Sequence, residues 1–376
     1  MRRVLVGMDP EKAHSWVVKL LKVGLKFGIL PVKKKADDPI LRCRVWNRDF
    51  DNPIGLSAGF DKNAEVIDAI LGLGFSFVEV GAITPRPQVG NDGTRLFRLR
   101  EDEALINRLG FPNEGLERIS ERLRNRATTK RDPAGFVGAN IGPNKENIGP
   151  NKNTEDAVND YVQCVERLAG LVDYLVINVS CPNTEGLRNL QKPEVLADML
   201  TNLKATRSAA NVPVPPPILV KVSPDLGEQE IAGIAEAALI SQVDGVIVSN
   251  TTTARPEGLR SEFKNEDGGL SGRPLVLEST KTLREMYRLT RGEIPLIGLG
   301  GVSSGHDAYI KIKSGASLVQ LYTALVYQGP TVVSRIKTDL ANLLREDGFT
   351  NIQEAIGVDV PLEWHKELNK VAASAC

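Results

Sequence analysis

With 376 residues, 41% of them hydrophobic and 25% charged, the chain has the make-up of a soluble globular protein that buries a large core, which excludes a mainly disordered chain. Lysine plus arginine equals aspartate plus glutamate at 47 each, so no overall field draws the molecule to nucleic acid or an acidic polymer. Cys43, Cys164, Cys181 and Cys376 show neither zinc-ligand nor disulfide spacing, no apolar run is long enough to span a bilayer, and the N-terminus lacks a secretory signal, so a metal centre, a membrane span and export are not expected.

The first predicted element is a helix over Lys12–Leu30, apolar at Trp16, Val17, Val18, Leu20, Leu21, Val23, Leu25, Phe27 and Ile29. Lys19, Lys22 and Lys26 lie near one side of it, and Lys33, Lys34 and Lys35 follow. Two readings fit: an interfacial membrane anchor, or a helix packed on the protein's own core with a solvated lysine face. Arg42 to Pro53 reads as a hairpin. Short apolar runs then alternate with helical stretches, the pattern of βα units and a parallel sheet. The predicted strands are Ile54–Ala58, Phe77–Val80, Gly135–Ala139, Tyr174–Ile177, Ile218–Val220, Gly245–Val248, Leu296–Gly298 and Ser317–Gln320. About eight strands close such a sheet, so the expected fold is an α/β parallel (β/α)8 TIM barrel with an N-terminal amphipathic helical segment. The expected division is 1–40 for that segment, 41–360 for the barrel and 361–376 for a tail.

Polar residues and glycines gather where the predicted strands end, on the rim where barrel enzymes build their sites. Strand one runs into Ala58-Gly59-Phe60-Asp61-Lys62, strand three into Asn140, strand four into Asn178, strand five into Lys221 and strand six into Asn250-Thr251-Thr252. Strand seven ends at Gly300-Gly301 and strand eight at Tyr322-Thr323. Glycine pairs let backbone N–H groups approach a phosphate, and Gly268-Gly269-Leu270-Ser271-Gly272 adds a further glycine-rich loop. Any one pair is equally a tight turn; together, on these two strands, they favour a mononucleotide. The amides of Asn107, Asn178, Asn183 and Asn250 both donate and accept, matching a planar ligand with alternating carbonyl and N–H groups. Lys62 and Lys221 either stabilise the negative charge of a reduced flavin or pair with barrel carboxylates.

At these residues the sequence resembles the dihydroorotate dehydrogenases, specifically the membrane-associated, quinone-dependent class 2. The resemblance runs from about Asp9 to Val360 through NPIGLSAGFDKN (Asn52–Asn63), INRLGF (Ile106–Phe111), INVSCPNTEGLR (Ile177–Arg188), LVKVSPDL (Leu219–Leu226), VSNTT (Val248–Thr252), GGLSGRPL (Gly268–Leu275), GLGGVSSG (Gly298–Gly305) and LVQLYTAL (Leu318–Leu325). It implies that FMN is held by Ser57, Ala58, Gly59, Lys62, Ala82, Asn140, Asn178, Lys221, Ser249, Thr251, Gly272, Gly301, Tyr322 and Thr323. Dihydroorotate is then held by Lys62, Asn107, Arg108, Leu109, Gly110, Phe111, Asn178, Asn183, Asn250 and Thr251. A base after strand four takes the C5 proton while the C6 hydride passes to the flavin, and ubiquinone reoxidises it through a tunnel lined by His14 and Arg98. The product is orotate, for UMP synthesis. The resemblance also makes the N-terminal helix a peripheral membrane-docking element, with the mitochondrial inner membrane the first expectation and a bacterial cytoplasmic membrane the second.

The sequence departs from the family pattern at three places. Cys181 stands where quinone-dependent members carry serine as the base, and with Phe111-Pro112-Asn113 this leans towards the soluble class 1, which uses fumarate or NAD. Only thirteen residues precede His14, so one of the two docking helices is expected to be missing, by truncation or by a one-helix mode of docking. Asn140-Ile141-Gly142-Pro143-Asn144-Lys145 recurs as Asn147-Ile148-Gly149-Pro150-Asn151-Lys152, which makes either Asn140 or Asn147 the flavin ligand; Asn140 is chosen because it follows the apolar run. A rival from another class is a flavin-binding scaffold that has lost its activity through Cys181. His306, Trp364 and His365 need no function.

Overall fold

The computed structural model describes residues 7–27, 36–128, 135–149, 152–180, 183 and 186–361. Helix α1 (Pro10–Lys26) begins where the Asp9 carboxylate accepts from the Lys12 N–H at 3.0 Å and Pro10 occupies the first turn. The start is therefore two residues earlier than the predicted Lys12, and residues 28–30 of the predicted helix lie outside the described set. Strands β1 (Cys43–Val45) and β2 (Arg48–Phe50) form the expected hairpin. Eight parallel strands then close a barrel in the order β3 (Ile54–Leu56), β4 (Phe77–Ile83), β7 (Phe136–Ile141), β8 (Tyr174–Asn178), β9 (Ile218–Val222), β10 (Gly245–Val248), β12 (Leu296–Gly298) and β13 (Ala316–Leu321). These strands read as near-continuous apolar runs because helices cover the outer face and side chains fill the inner one. Each fully buried Leu, Ile or Val in them contributes about 1.5–3 kcal/mol.

Aromatic side chains decide which end of the barrel is open. Phe77 on β4 faces Gly55 on β3, and Tyr174 on β8 faces Gly138 on β7, so large rings lie across strands with no side chain in the way. A Cβ on Gly55 would stand 2.3 Å from the Phe77 ring and one on Gly138 2.0 Å from Tyr174, so alanine at either position breaks this packing. The hairpin folds beneath these rings. Trp46 stacks on Tyr174 at 5.9 Å, Phe50 meets Phe77 edge-on at 5.8 Å, and the Trp46 indole donates to the Asp244 carbonyl at 2.6 Å. The amino end is plugged in this way, and the carboxyl end remains for a site.

Over that carboxyl end lies a three-stranded antiparallel sheet that the sequence pattern did not announce. Strand β6 (Ala104–Asn107) is its centre, between β5 (Leu96–Leu99) and β11 (Gly269–Gly272). It has its own small core of Phe97, Leu99, Ala104, Ile106, Leu259 and Leu270. Helix α1 packs on β5 and on α2 (Ile67–Gly72), held by a two-bond ion pair from Arg95 to Glu11 and by Lys22 to Glu65 at 2.5 Å. Its inward face carries Ala13, Val17, Val18, Leu21 and Leu25. Its outward face exposes Trp16, Leu20, Val23 and Phe27. The helix is thus apolar on both sides, one packed on the protein's own core and one exposed. No described helix is long and apolar enough to cross a membrane.

Candidate active site

Between the rim and the antiparallel sheet lies a cavity open to solvent at its mouth and lined by residues from both. Every predicted flavin-binding residue lines it: Ser57, Ala58, Gly59, Lys62, Ala82, Asn140, Asn178, Lys221, Ser249, Thr251, Gly272, Gly301, Tyr322 and Thr323. Of the predicted substrate residues, Asn107, Leu109, Gly110, Phe111, Asn183 and Asn250 line it as well. Asn107 arrives from β6, across from the barrel, so the antiparallel sheet supplies the wall that faces the rim.

Side-chain direction sets two of the expected residues apart from the cavity. Asn107 points into the cavity and its neighbour Arg108 points away, as alternation along an extended chain requires. The Arg108 guanidinium pairs with Glu266 at 2.8 Å, donates to the Thr94 carbonyl at 2.9 Å and lies over the Phe97 ring. Arg98 lines neither described cavity; it donates to the Met8 carbonyl at 2.7 Å and ties β5 to the start of α1. Cys181, the expected base, lies outside the described residues, although Ser180 before it and Asn183 after it are placed. Trp364 and His365 are outside them too, and His306 is exposed near the start of α8, the helix Gly305–Lys313.

The asparagines form a directed relay. Asn250 donates to Asn178 at 3.3 Å, Asn178 donates to Asn140 at 3.0 Å, and Asn140 donates to Glu79 at 2.7 Å. Asn140 belongs to β7 itself, so the strand runs beyond the predicted Ala139. Asn147 donates to Asp160 at 2.8 Å and does not reach the cavity. Glu79, fully buried on β4, also accepts from Gln320 at 2.7 Å and lies 3.7 Å from the Lys221 ammonium. Lys221 therefore lines the cavity and also pairs with a barrel carboxylate. Glu79 and Gln320 were missed. The available signal was a charged residue between Val78 and Val80 in an apolar strand, which is costly to bury unless it is paired.

At the opposite end, Gly300 and Gly301 follow β12 with φ of 108° and 78°, and Gly272 ends β11 at 97°. Added side chains have no room there: a Cβ on Gly301 would stand 2.5 Å from the Cα of Val276, and one on Gly272 2.4 Å from the Glu103 carbonyl. Close-packed bare backbone of this kind presents N–H groups to an anion. Lys62 donates to the Gly59 carbonyl at 2.7 Å, and its ammonium is pushed down to about 8 by burial, against the pull of Glu11 and Asp61.

A second cavity opens under α1 and shares Lys62, Leu96, Leu109, Pro112 and Tyr322 with the first. His14 reaches it from the helix, edge-on to Phe60 at 5.1 Å. Burial, with the Lys62 charge second, pushes His14 down to about 3, so the imidazole is neutral.

The fold and these cavities define a parallel β/α barrel with a cavity of amides, lysines and glycines at its carboxyl end and a second chamber beside it. A model of the family described as dihydroorotate dehydrogenase matches residues 40–344. The chain is 49% identical over 356 residues to a Rhodospirillum rubrum protein named dihydroorotate dehydrogenase (quinone), covering 95% of this chain and 93% of that protein. It is 49% identical over 352 residues to the mitochondrial protein of that name from Mus musculus, covering 94% and 87%. Among solved structures, DHODH from Eimeria tenella in complex with ferulenol matches with a TM-score of 0.86 at 42% identity, covering 93% of this chain and 96% of that one. The chain belongs to the dihydroorotate dehydrogenase family.

Proposed function

We propose that this protein oxidises dihydroorotate to orotate in pyrimidine synthesis and passes the electrons to a quinone. The observation that carries this is the pair of adjoining chambers: one lined by amides, two lysines and bare glycine backbone, the other reached from beneath an amphipathic helix. The first chamber fits FMN, which supplies two-electron acceptance when bound. Gly272, Gly300 and Gly301 suit its phosphate, because their backbone meets an anion without intervening side chains. Asn140, Asn178 and Lys221 suit the polar edge of its ring, where Lys221 offsets negative charge. Asn107, Asn183 and Asn250 hold a planar cyclic acid by its amide groups, and Lys62 holds its carboxylate. Cys181 takes the substrate proton. Its thiol needs less help to ionise than a serine hydroxyl, and Lys62 and Lys221 add positive charge to the site.

The quinone enters through the second chamber beside neutral His14. Trp16, Leu20, Val23 and Phe27 face outward with Lys12, Lys19, Lys22 and Lys26 also exposed, which suits a helix lying in an anionic lipid surface. The location that follows is the membrane face that supplies ubiquinone: the mitochondrial inner membrane, or the cytoplasmic membrane in a bacterium. Steady-state rates with a ubiquinone analogue, fumarate and NAD test the acceptor, and removal of residues 1–35 tests the route. The truncated protein is expected to keep FMN and be reduced by dihydroorotate while quinone reduction collapses. Quinone reduction as efficient as that of the full chain contradicts the reading.

A further inference from the structure

Glu79 is a fully buried carboxylate inside the barrel, on a strand whose neighbouring residues are apolar. Burying such a charge costs several kcal/mol unless its partners are well placed. Three are: the Asn140 and Gln320 amides at 2.7 Å each, and the Lys221 ammonium at 3.7 Å. Glu79 is the one carboxylate within ion-pair distance of Lys221 among the described residues, and the other polar contact of that ammonium is Ser57 Oγ at 3.4 Å. A carboxylate only accepts, so it fixes the direction of everything above it. Asn140 must turn its NH2 to Glu79 and its oxygen to Asn178; Asn178 must then offer its NH2 to Asn140 and its oxygen to Asn250.

We infer that Glu79, although it does not line the cavity, is a positioning residue that sets both the charge beneath the flavin ring and the donor–acceptor polarity of the amides that read the ligands. This rests on the FMN reading above. With Glu79 present, the Lys221–Glu79 pair is neutral overall, and the ring feels a dipole in place of a bare cation. With Glu79→Gln the cation is uncompensated, so the anionic reduced flavin is favoured; the relay also loses its fixed end, because a glutamine amide can donate where the carboxylate only accepted.

The test is the flavin midpoint potential of purified holoprotein, measured for wild type, Glu79→Gln, Lys221→Met and the double variant at about pH 7. At an effective dielectric of about 20, a unit charge within about ten ångströms is worth at least about a factor of ten. Glu79→Gln is therefore expected to shift the oxidised–reduced equilibrium towards reduced flavin by at least about tenfold, Lys221→Met to shift it the other way, and the double variant to return to within about threefold of wild type. Orotate is expected to bind Glu79→Gln about tenfold more weakly, as the relay loses its direction. An unchanged potential in a yellow Glu79→Gln protein overturns the inference. If Glu79→Gln does not retain flavin, the double variant decides: recovered flavin near the wild-type potential is expected, whereas flavin as hard to reduce as in Lys221→Met, or no flavin at all, overturns it. A wild-type protein that binds no FMN would instead defeat the cofactor reading on which the inference rests.

Discussion

Replacing Gly301 with alanine isolates the phosphate end of the site. Gly301 has a φ of 78°, a region that costs an L-residue roughly 1–2 kcal/mol. The new Cβ would also stand 2.5 Å from the Cα and Cβ of Val276 and 2.6 Å from its nitrogen, and backbone does not yield as a flexible side chain does. Ordinary contact needs roughly another ångström, so the loop must move away from the start of α7, the helix Val276–Leu289. A shift of that size misaims at least one N–H. A hydrogen bond to a charged group is worth about 1.5–3 kcal/mol, so FMN should bind about ten- to about a hundredfold more weakly. Gly93→Ala is the control. Its φ is 74° but nothing lies within 4 Å, so it shares the backbone strain without the collision. Titration of apoprotein with FMN, followed by flavin fluorescence, is expected to show weakened binding for Gly301→Ala and unchanged binding for Gly93→Ala. Wild-type affinity in Gly301→Ala would refute the placing of the phosphate on this loop.

Cys181→Ala is expected to keep FMN and bind orotate but to lose flavin reduction by at least about a hundredfold, while Cys181→Ser keeps partial activity with its pH profile moved upward; near wild-type reduction in the alanine variant moves the base elsewhere. Lys311, fully buried with its ammonium on the Ser279 hydroxyl at 2.6 Å, is pushed down to about 7 by burial. The unfolded chain holds that proton up to the ordinary lysine range, so the penalty of burying it is complete below about pH 7 and fades as pH rises towards about 10. Lys311→Met should accordingly raise the melting temperature more at about pH 6 than at about pH 9.5, and an equal change at both would show that burial does not depress this lysine. The double change Trp16→Ser with Phe27→Ser removes two exposed apolar side chains, each worth about 1.5–3 kcal/mol when buried. Binding to anionic vesicles should fall by at least about a hundredfold while reduction by dihydroorotate is untouched; unaltered vesicle binding rules out this face of α1 as the anchor.

The barrel was legible because its strands obey one rule, an apolar run that ends in glycine or a polar residue, and each such run became a strand within a few residues. The glycine loops at Gly268–Gly272 and Gly300-Gly301 were legible for a related reason, since only crowding forbids a side chain there. Other parts depend on partners far apart in sequence. Strand β6 pairs with β11 across more than 150 residues, as in Asn107 with Gly269, and the short runs of β5, β6 and β11 carry no helical period to set them off. The directions of Arg108 and Arg98 followed from Glu266 and Met8, which no motif names. Glu79 was hidden for the opposite reason: it lies in a run apolar enough to be read as plain core, and its meaning appears only when β7, β9 and β13 bring Asn140, Lys221 and Gln320 beside it.

Everything proposed for this protein requires that the cavity on the barrel rim remove two hydrogens from dihydroorotate. Anaerobic mixing of the purified yellow protein with dihydroorotate, followed by flavin absorbance and by product analysis, tests it most directly. Rapid bleaching with one orotate formed per flavin is expected, and return of the colour when a ubiquinone analogue is added. A protein that stays yellow in dihydroorotate, with no orotate formed, would contradict it.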